Sequence, residues 1–207
     1  VLITRTACTL ETLPNGARVG TSSVRRAAQL KWLRPDVQIV EIRGNVPTRV
    51  KKVLGEDALD AVLLAAAGLI RLGLLKEGRI DLEGTSLHGL TLDPRAFLPA
   101  AGQGAIAIEC RLGDDATHSL LRAINHAETE ARVIAERDFL RRLGAGCQTP
   151  VGAHTWLRDG HLHMAVRIFN EANLMEKPIE LEMHAPDSLP RELSAALAEG
   201  YFERLKN

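Results

Sequence analysis

The chain has 207 residues, 45% apolar and 25% charged, enough for one large or two modest domains with real cores. Its 26 basic and 26 acidic residues cancel, which argues against a general nucleic-acid or membrane-surface binder. No apolar run approaches the roughly 20 residues that a membrane-spanning helix needs, and three sparse cysteines, Cys8, Cys110 and Cys147, fit a reducing cytoplasm better than a disulfide framework.

The neutral total hides an asymmetry. Between Arg18 and Lys52 stand nine basic residues (Arg18, Arg25, Arg26, Lys31, Arg34, Arg43, Arg49, Lys51, Lys52) against Asp36 and Glu41, a local +7 that the remainder balances. A basic segment in a neutral chain points to a small anionic ligand rather than a polymer. The chain opens VLITRTACTLETLPNG, with no leader pattern, and reads as the interior of a longer protein.

Residues 1–17 read as a short strand or linker ending in a Pro-Asn-Gly turn. A regular alternation then begins. Arg18-Val19 is a strand, and Gly20-Thr21-Ser22-Ser23 is a loop with three hydroxyl caps for a helix over Val24–Arg34. Val24, Ala27 and Ala28 are expected to form that helix's buried face, and Pro35 ends it. Val37–Ile42 is β-rich. Asn45 caps and Pro47 starts a helix through Leu54, and Asp60–Ala67 is a buried strand. Strand, helix, strand, helix, strand predicts an α/β domain with a mostly parallel sheet. Ligands of such sheets bind outside the carboxyl ends of the strands, where Gly20–Ser23, Arg43-Gly44-Asn45 and Ala66–Gly68 fall.

Residues 71–97 read as irregular. Leu98–Gly104 is a hinge into a strand, Ala105–Cys110, followed by a helix capped at Asp114 or Asp115 and another over Glu128–Leu143 that stops at Gly144. Glu128, Glu130 and Glu136 are expected on its solvated face. Gly152–Arg158 and His161–Phe169 flank Asp159-Gly160, a hairpin signal. Pro178–Met183 adds a third strand and Leu189–Leu205 an amphipathic helix, which together make a small antiparallel-sheet α+β domain.

Arg25 and Arg26 occupy the first turn of a helix, where the dipole disfavours cations. That placement makes sense if an anion binds there, and Arg43 and Arg49 approach from the next loop and helix. Lys51 and Lys52 read as a solvated face. Cys147, on a glycine-rich turn behind Arg141 and Arg142, is open to four readings: nucleophile, metal ligand, covalent anchor or small buried hydrophobe. Cys8 and Cys110 read as inert, buried thiols. A zinc site from His154, His161, His163 and Cys147 lacks any usual ligand spacing, and surface-hairpin histidines are the preferred reading.

Five stretches in order, VGTSSVRRAAQL, RGNVPTRV, LLAAAGLIRLGL, LPAAGQGAIAIECR and LGAGCQTPVGA, resemble the porphobilinogen deaminase (hydroxymethylbilane synthase) family, and the resemblance covers essentially the whole chain. It implies a transferase of tetrapyrrole and haem biosynthesis that condenses four porphobilinogens, with release of ammonia, into hydroxymethylbilane. It implies a dipyrromethane cofactor on Cys147 through a thioether, with no metal. Cofactor carboxylates would fall to Thr21, Ser22, Ser23, Arg25, Arg26, Arg43 and Gly44, and the incoming substrate to Arg43, Asn45 and Arg49. The implied division is a periplasmic-binding-protein-like domain 2 over residues 1–97, a returning segment of domain 1 over 98–124, and domain 3 over 125–207. The first half of domain 1 and the family's catalytic aspartate have no counterpart here, so the resemblance implies no catalytic residue in this chain. Glu83 to Arg95 looks extended relative to the family. The expectation is a monomeric, cytoplasmic enzyme when intact, with porphobilinogen and the growing pyrrole chain as partners. This chain alone is expected to be inactive without the N-terminal segment. The alternative is a non-catalytic, binding-protein-like module for a small anion.

Overall fold

The computed structural model describes residues 1–146 and 149–206. By its internal contacts the chain divides into two units. The first comprises Val1–Leu98, Cys147–Gly152 and Arg167–Ile179, and the second Pro99–Gly146, Ala153–Val166 and Glu180–Asn207.

The first unit is built on a seven-stranded sheet of order β3-β2-β4-β1-β7-β6-β5. Its parallel part is the expected alternation: β2 (Arg18–Gly20), α1 (Val24–Leu33), β3 (Gln38–Val40), α2 (Val46–Val50) with a 3₁₀ turn at Lys51–Val53, and β4 (Ala61–Leu63). β2 pairs parallel with both neighbours, Val19 opposite Ile39 and Ala61. Strand β1 (Leu2–Thr4) lies antiparallel to β4, with Leu2 opposite Leu63. The period-two alternation of side chains then sorts two cores. Ile3 and Val62 face a cluster with Ile42, Val50, Val53 and Leu69, while Leu2, Val19, Ala61 and Leu63 face one with Leu30, Val37 and Phe97.

Three sequence expectations change in this unit. The strand expected over Asp60–Ala67 is confined to Ala61–Leu63, because a helix, α3 (Ala66–Arg71), begins at once. The stretch read as irregular contains β5 (Leu75–Lys76), β6 (Arg79–Leu82) and β7 (Thr85–Leu90), joined by tight Glu-Gly turns. Glu77-Gly78 and Glu83-Gly84 hold φ of 47° and 76°, and of 51° and 80°, the paired left-handed geometry that closes two-residue hairpins. The buried residues of α1 are Arg25, Ala28, Gln29 and Leu30, with Val24 and Ala27 only partly covered.

In the second unit α4 (Asp115–Ala123) is capped by Asp114, which accepts from the Thr117 amide, and α5 (Ala127–Arg142) by His126. Gly144, at φ 65°, ends α5 as expected. Strands β8 (Val151–Arg158), β9 (His161–Ile168) and β10 (Ile179–Pro186) form a sheet of order β10-β9-β8 whose ends extend into the first unit's segments, and α6 (Pro190–Arg204) closes the chain. Phe139, Leu162, Met164, Leu193 and Leu197 are fully buried. On the outer side of the sheet the rings of His154, Trp156, His163 and His184 follow one another at 5.7, 5.4 and 5.0 Å.

Two expectations fail here. Residues 105–110 form no strand, and Ile106, Ile108 and Cys110 are exposed; an alternating pattern needs a ladder partner, and none pairs with this segment among the described residues. Glu136 lies not on a solvated face but in the interior, 7% exposed. Its carboxylate accepts from the amides of Gly102 and Thr155 at 2.6 and 3.0 Å and from the Thr155 hydroxyl at 2.7 Å. Burial pushes its pKa up against those bonds.

Candidate carboxylate-binding site

The carboxyl ends of β2, β3 and β4 put three loops side by side. Gly20 has no room for a side chain: a Cβ there would stand 2.7 Å from Leu59 and 2.9 Å from both Ile42 and Val62. Thr21, which is buried, donates its amide to the Val40 carbonyl, and its hydroxyl accepts from the Ser23 amide. Ser23 then caps α1 by accepting from the Arg26 amide. In the second loop Gly44 has φ 108°, and Asn45 accepts from both the amide and the hydroxyl of Thr48 to start α2.

Guanidinium groups converge on these loops. Arg49 on α2 donates to the Gly44 carbonyl at 2.7 Å and to the Ser22 hydroxyl at 3.3 Å, joining two loops that are far apart in sequence. Arg26 donates to the Leu63 carbonyl at 3.1 Å, at the end of β4. Arg25, only 5% exposed, donates to the Leu98 carbonyl at 2.5 Å. Arg43 stands in solvent and pairs with Glu41 at 2.9 Å. The expected residues Thr21, Ser22, Ser23, Arg25, Arg26, Gly44, Asn45 and Arg49 therefore belong to one group of loops and helix starts, with Arg43 on its exposed edge. Cys147 lies outside the described residues.

The electrostatics are those of crowded cations. Burial, and then repulsion from Arg26, brings Arg25 down to about 9. Burial and repulsion from Arg49 lower Arg26 in turn. The first turn of α1 contains no acidic residue, so helix dipole and guanidinium charge add rather than cancel. An arriving carboxylate relieves that repulsion and meets planar forks of matching shape. The donor set thus fits a ligand carrying several carboxylates. Sequence reasoning missed Leu98, whose carbonyl accepts from Arg25, and Gln29, which bonds both backbone groups of Leu98. The only hint was an amide four residues after Arg25, on the same helical face. Among the described residues no three histidine, cysteine or acidic side chains are placed to hold a metal ion, and no helix is long and apolar enough to cross a membrane.

Fold and loops together define an α/β binding-protein-like domain whose strand ends gather guanidinium, hydroxyl and amide groups, with a small α+β domain beside it in sequence. Residues 1–119 match the family model described as porphobilinogen deaminase, dipyromethane cofactor binding domain, and residues 130–202 match porphobilinogen deaminase, C-terminal domain. The chain belongs to the porphobilinogen deaminase family. It is 48% identical over 165 residues to the porphobilinogen deaminase of Syntrophobacter fumaroxidans, covering 80% of this chain and 50% of that protein. The Sphingopyxis alaskensis enzyme of that name is 52% identical over 160 residues, 77% of this chain and 47% of the relative. That of Desulforudis audaxviator is 44% identical over 201 residues, 96% of this chain and 62% of the relative. The chain spans about half the length of most of these curated relatives.

Proposed function

We propose that this chain is the cofactor-carrying part of a hydroxymethylbilane synthase, a transferase that condenses four porphobilinogens into hydroxymethylbilane for haem biosynthesis. The observation that carries the reading is the match of residues 1–119 to the cofactor-binding family model, laid over loops whose donors suit carboxylates. Cys147 would hold the dipyrromethane as a thioether, and the bound group supplies the primer on which the product is built. Thr21, Ser22 and Ser23 would offer hydroxyl and amide donors to its acetate and propionate groups. Arg25, Arg26, Arg43 and the Gly44 turn would neutralise them. Arg43, Asn45 and Arg49 would orient the incoming porphobilinogen. Forks fixed in advance need no reorganisation as negative charge accumulates.

The proposal keeps the family division, 1–97 as domain 2, 98–124 as the returning part of domain 1 and 125–207 as domain 3. It places the working protein in the cytoplasm as a monomer, engaging neither nucleic acid nor membrane. In this reading the chain carries the residues that bind the cofactor and orient the substrate, and no catalytic residue is assigned to it.

Two measurements test this. The intact mass of denatured protein is expected to exceed the sequence mass by two linked pyrrole units. Cys147→Ser is expected to abolish that excess. An unmodified Cys147 would favour the alternative, a binding module for a small anion.

A further inference from the structure

We infer that Gln29 is a positioning residue, which fixes the Leu98 backbone so that Leu98 in turn aims the Arg25 guanidinium. The inference rests on the carboxylate-site reading and assigns a role to a residue that this reading does not use.

Gln29 is fully buried on α1. Its side-chain carbonyl accepts from the Leu98 amide at 2.7 Å, and its side-chain NH₂ donates to the Leu98 carbonyl at 2.9 Å. One amide therefore satisfies both backbone groups of one residue, as a neighbouring strand would. Among side chains of this length only glutamine carries donor and acceptor together. The same Leu98 carbonyl accepts from Arg25 at 2.5 Å. Arg25 and Gln29 are one helical turn apart, so their side chains leave α1 on one face and meet on one oxygen.

The surroundings hold this arrangement from two further sides. Arg167 donates to the Gln29 side-chain carbonyl at 3.2 Å and to the Ala96 carbonyl at 2.9 Å, and lies 4.6 Å from the Trp32 ring centroid. Gly152 packs so closely that a Cβ would stand 2.7 Å from that of Leu98. Leu98 is thus held in place, and the oxygen it offers sets the direction of a planar fork whose N–H groups cannot move independently.

The test measures porphobilinogen, used as a dicarboxylate probe, binding to this chain by titration calorimetry, alongside thermal melting and hydrogen exchange at the Leu98 amide. Gln29→Met removes both hydrogen-bonding ends at similar volume. Gln29→Asn keeps donor and acceptor on an arm one methylene shorter, which loosens the hold on Leu98 without burying a charge, and serves where the methionine variant does not fold. Both are expected to weaken porphobilinogen by about tenfold or more, the worth of one charge-assisted hydrogen bond. In an Arg25→Met background the same Gln29 changes should leave affinity unmoved, because the effect passes through Arg25. Variants that melt lower yet bind like the parent, or losses that add fully to that of Arg25→Met, overturn the inference. Failure of the parent chain to bind porphobilinogen would instead overturn the carboxylate-site reading, and is seen without any variant.

Discussion

Ser194 donates its hydroxyl to the Asp138 carboxylate at 2.5 Å, and this bond ties α6 to α5 in the interior of the second unit. Asp138 has a side chain only 3% exposed, yet Arg141, Arg142 and Arg191 reach it at 2.6, 2.7 and 3.5 Å. Burial pushes the carboxyl up, but the bonds from Ser194, Arg142 and Arg141 outweigh it and hold the group well below the ordinary value of 3.8. Its stabilisation is therefore present above the unfolded-state pKa and lost as pH falls through the folded one. Asp138→Asn is expected to cost about 2–3 kcal/mol at pH 7, toward the low end for breaking a buried pair because the arginines are partly solvated. In urea unfolding the gap between parent and variant should narrow steadily below pH 4.

Glu136 obeys the opposite sign. Its pKa is raised above the ordinary 4.5, burial first, so its contribution is fullest below that value and shrinks as pH rises through the folded pKa. The Thr155 hydroxyl, fully buried, counters this by donating to the charged carboxylate. Thr155→Val keeps the shape and removes that donor. The expected loss is about 1–2 kcal/mol at pH 7, and a smaller one at pH 4, where the carboxyl is closer to neutral. Equal losses at both pH values would mean that the hydroxyl does not serve the carboxylate.

What could be read from sequence was whatever is local. Ser23 and Asn45 cap the helices expected of them, and Asp159-Gly160 turns the expected hairpin with φ of 52° and 72°. Glu77-Gly78 and Glu83-Gly84 adopt the same pair of conformations but were passed over, since glutamate, unlike aspartate, has no short side chain to favour the left-handed region. Residues 105–110 erred the other way: the alternation is real, but a strand also needs a partner that no local pattern supplies. The site divides in the same manner. The strand-end rule located the loops, but Arg25 and Gln29 are buried because Leu98, some seventy residues on, presents its backbone to them. Nothing near position 29 encodes that.

The Glu-Gly turns yield a prediction of their own. A Cβ on Gly84 would meet nothing within 4 Å, yet its φ is 80°. Gly84→Ala therefore carries a backbone penalty alone, about 1–2 kcal/mol, and Gly84→Asn should lose less because asparagine tolerates that region. Chemical denaturation of the three proteins reads the order directly. Alanine and asparagine losing equally would show that the turn has changed type.

Gly20 presents the converse case, ordinary φ and no space. A Cβ would press on Leu59, Ile42 and Val62, all buried in one core cluster, and it sits immediately before Thr21. Gly20→Ala is expected to cost about 1–3 kcal/mol through overpacking. The strain should also shift Thr21 and Ser22 and with them the Ser22–Arg49 contact, so porphobilinogen affinity should fall along with stability. Leu59→Val removes the atom that stands closest to the added methyl. Placed in the Gly20→Ala protein it should recover part of both losses, whereas alone it should cost stability. Recovery of stability without recovery of affinity would separate the packing of this strand end from the arrangement of the carboxylate-binding loops.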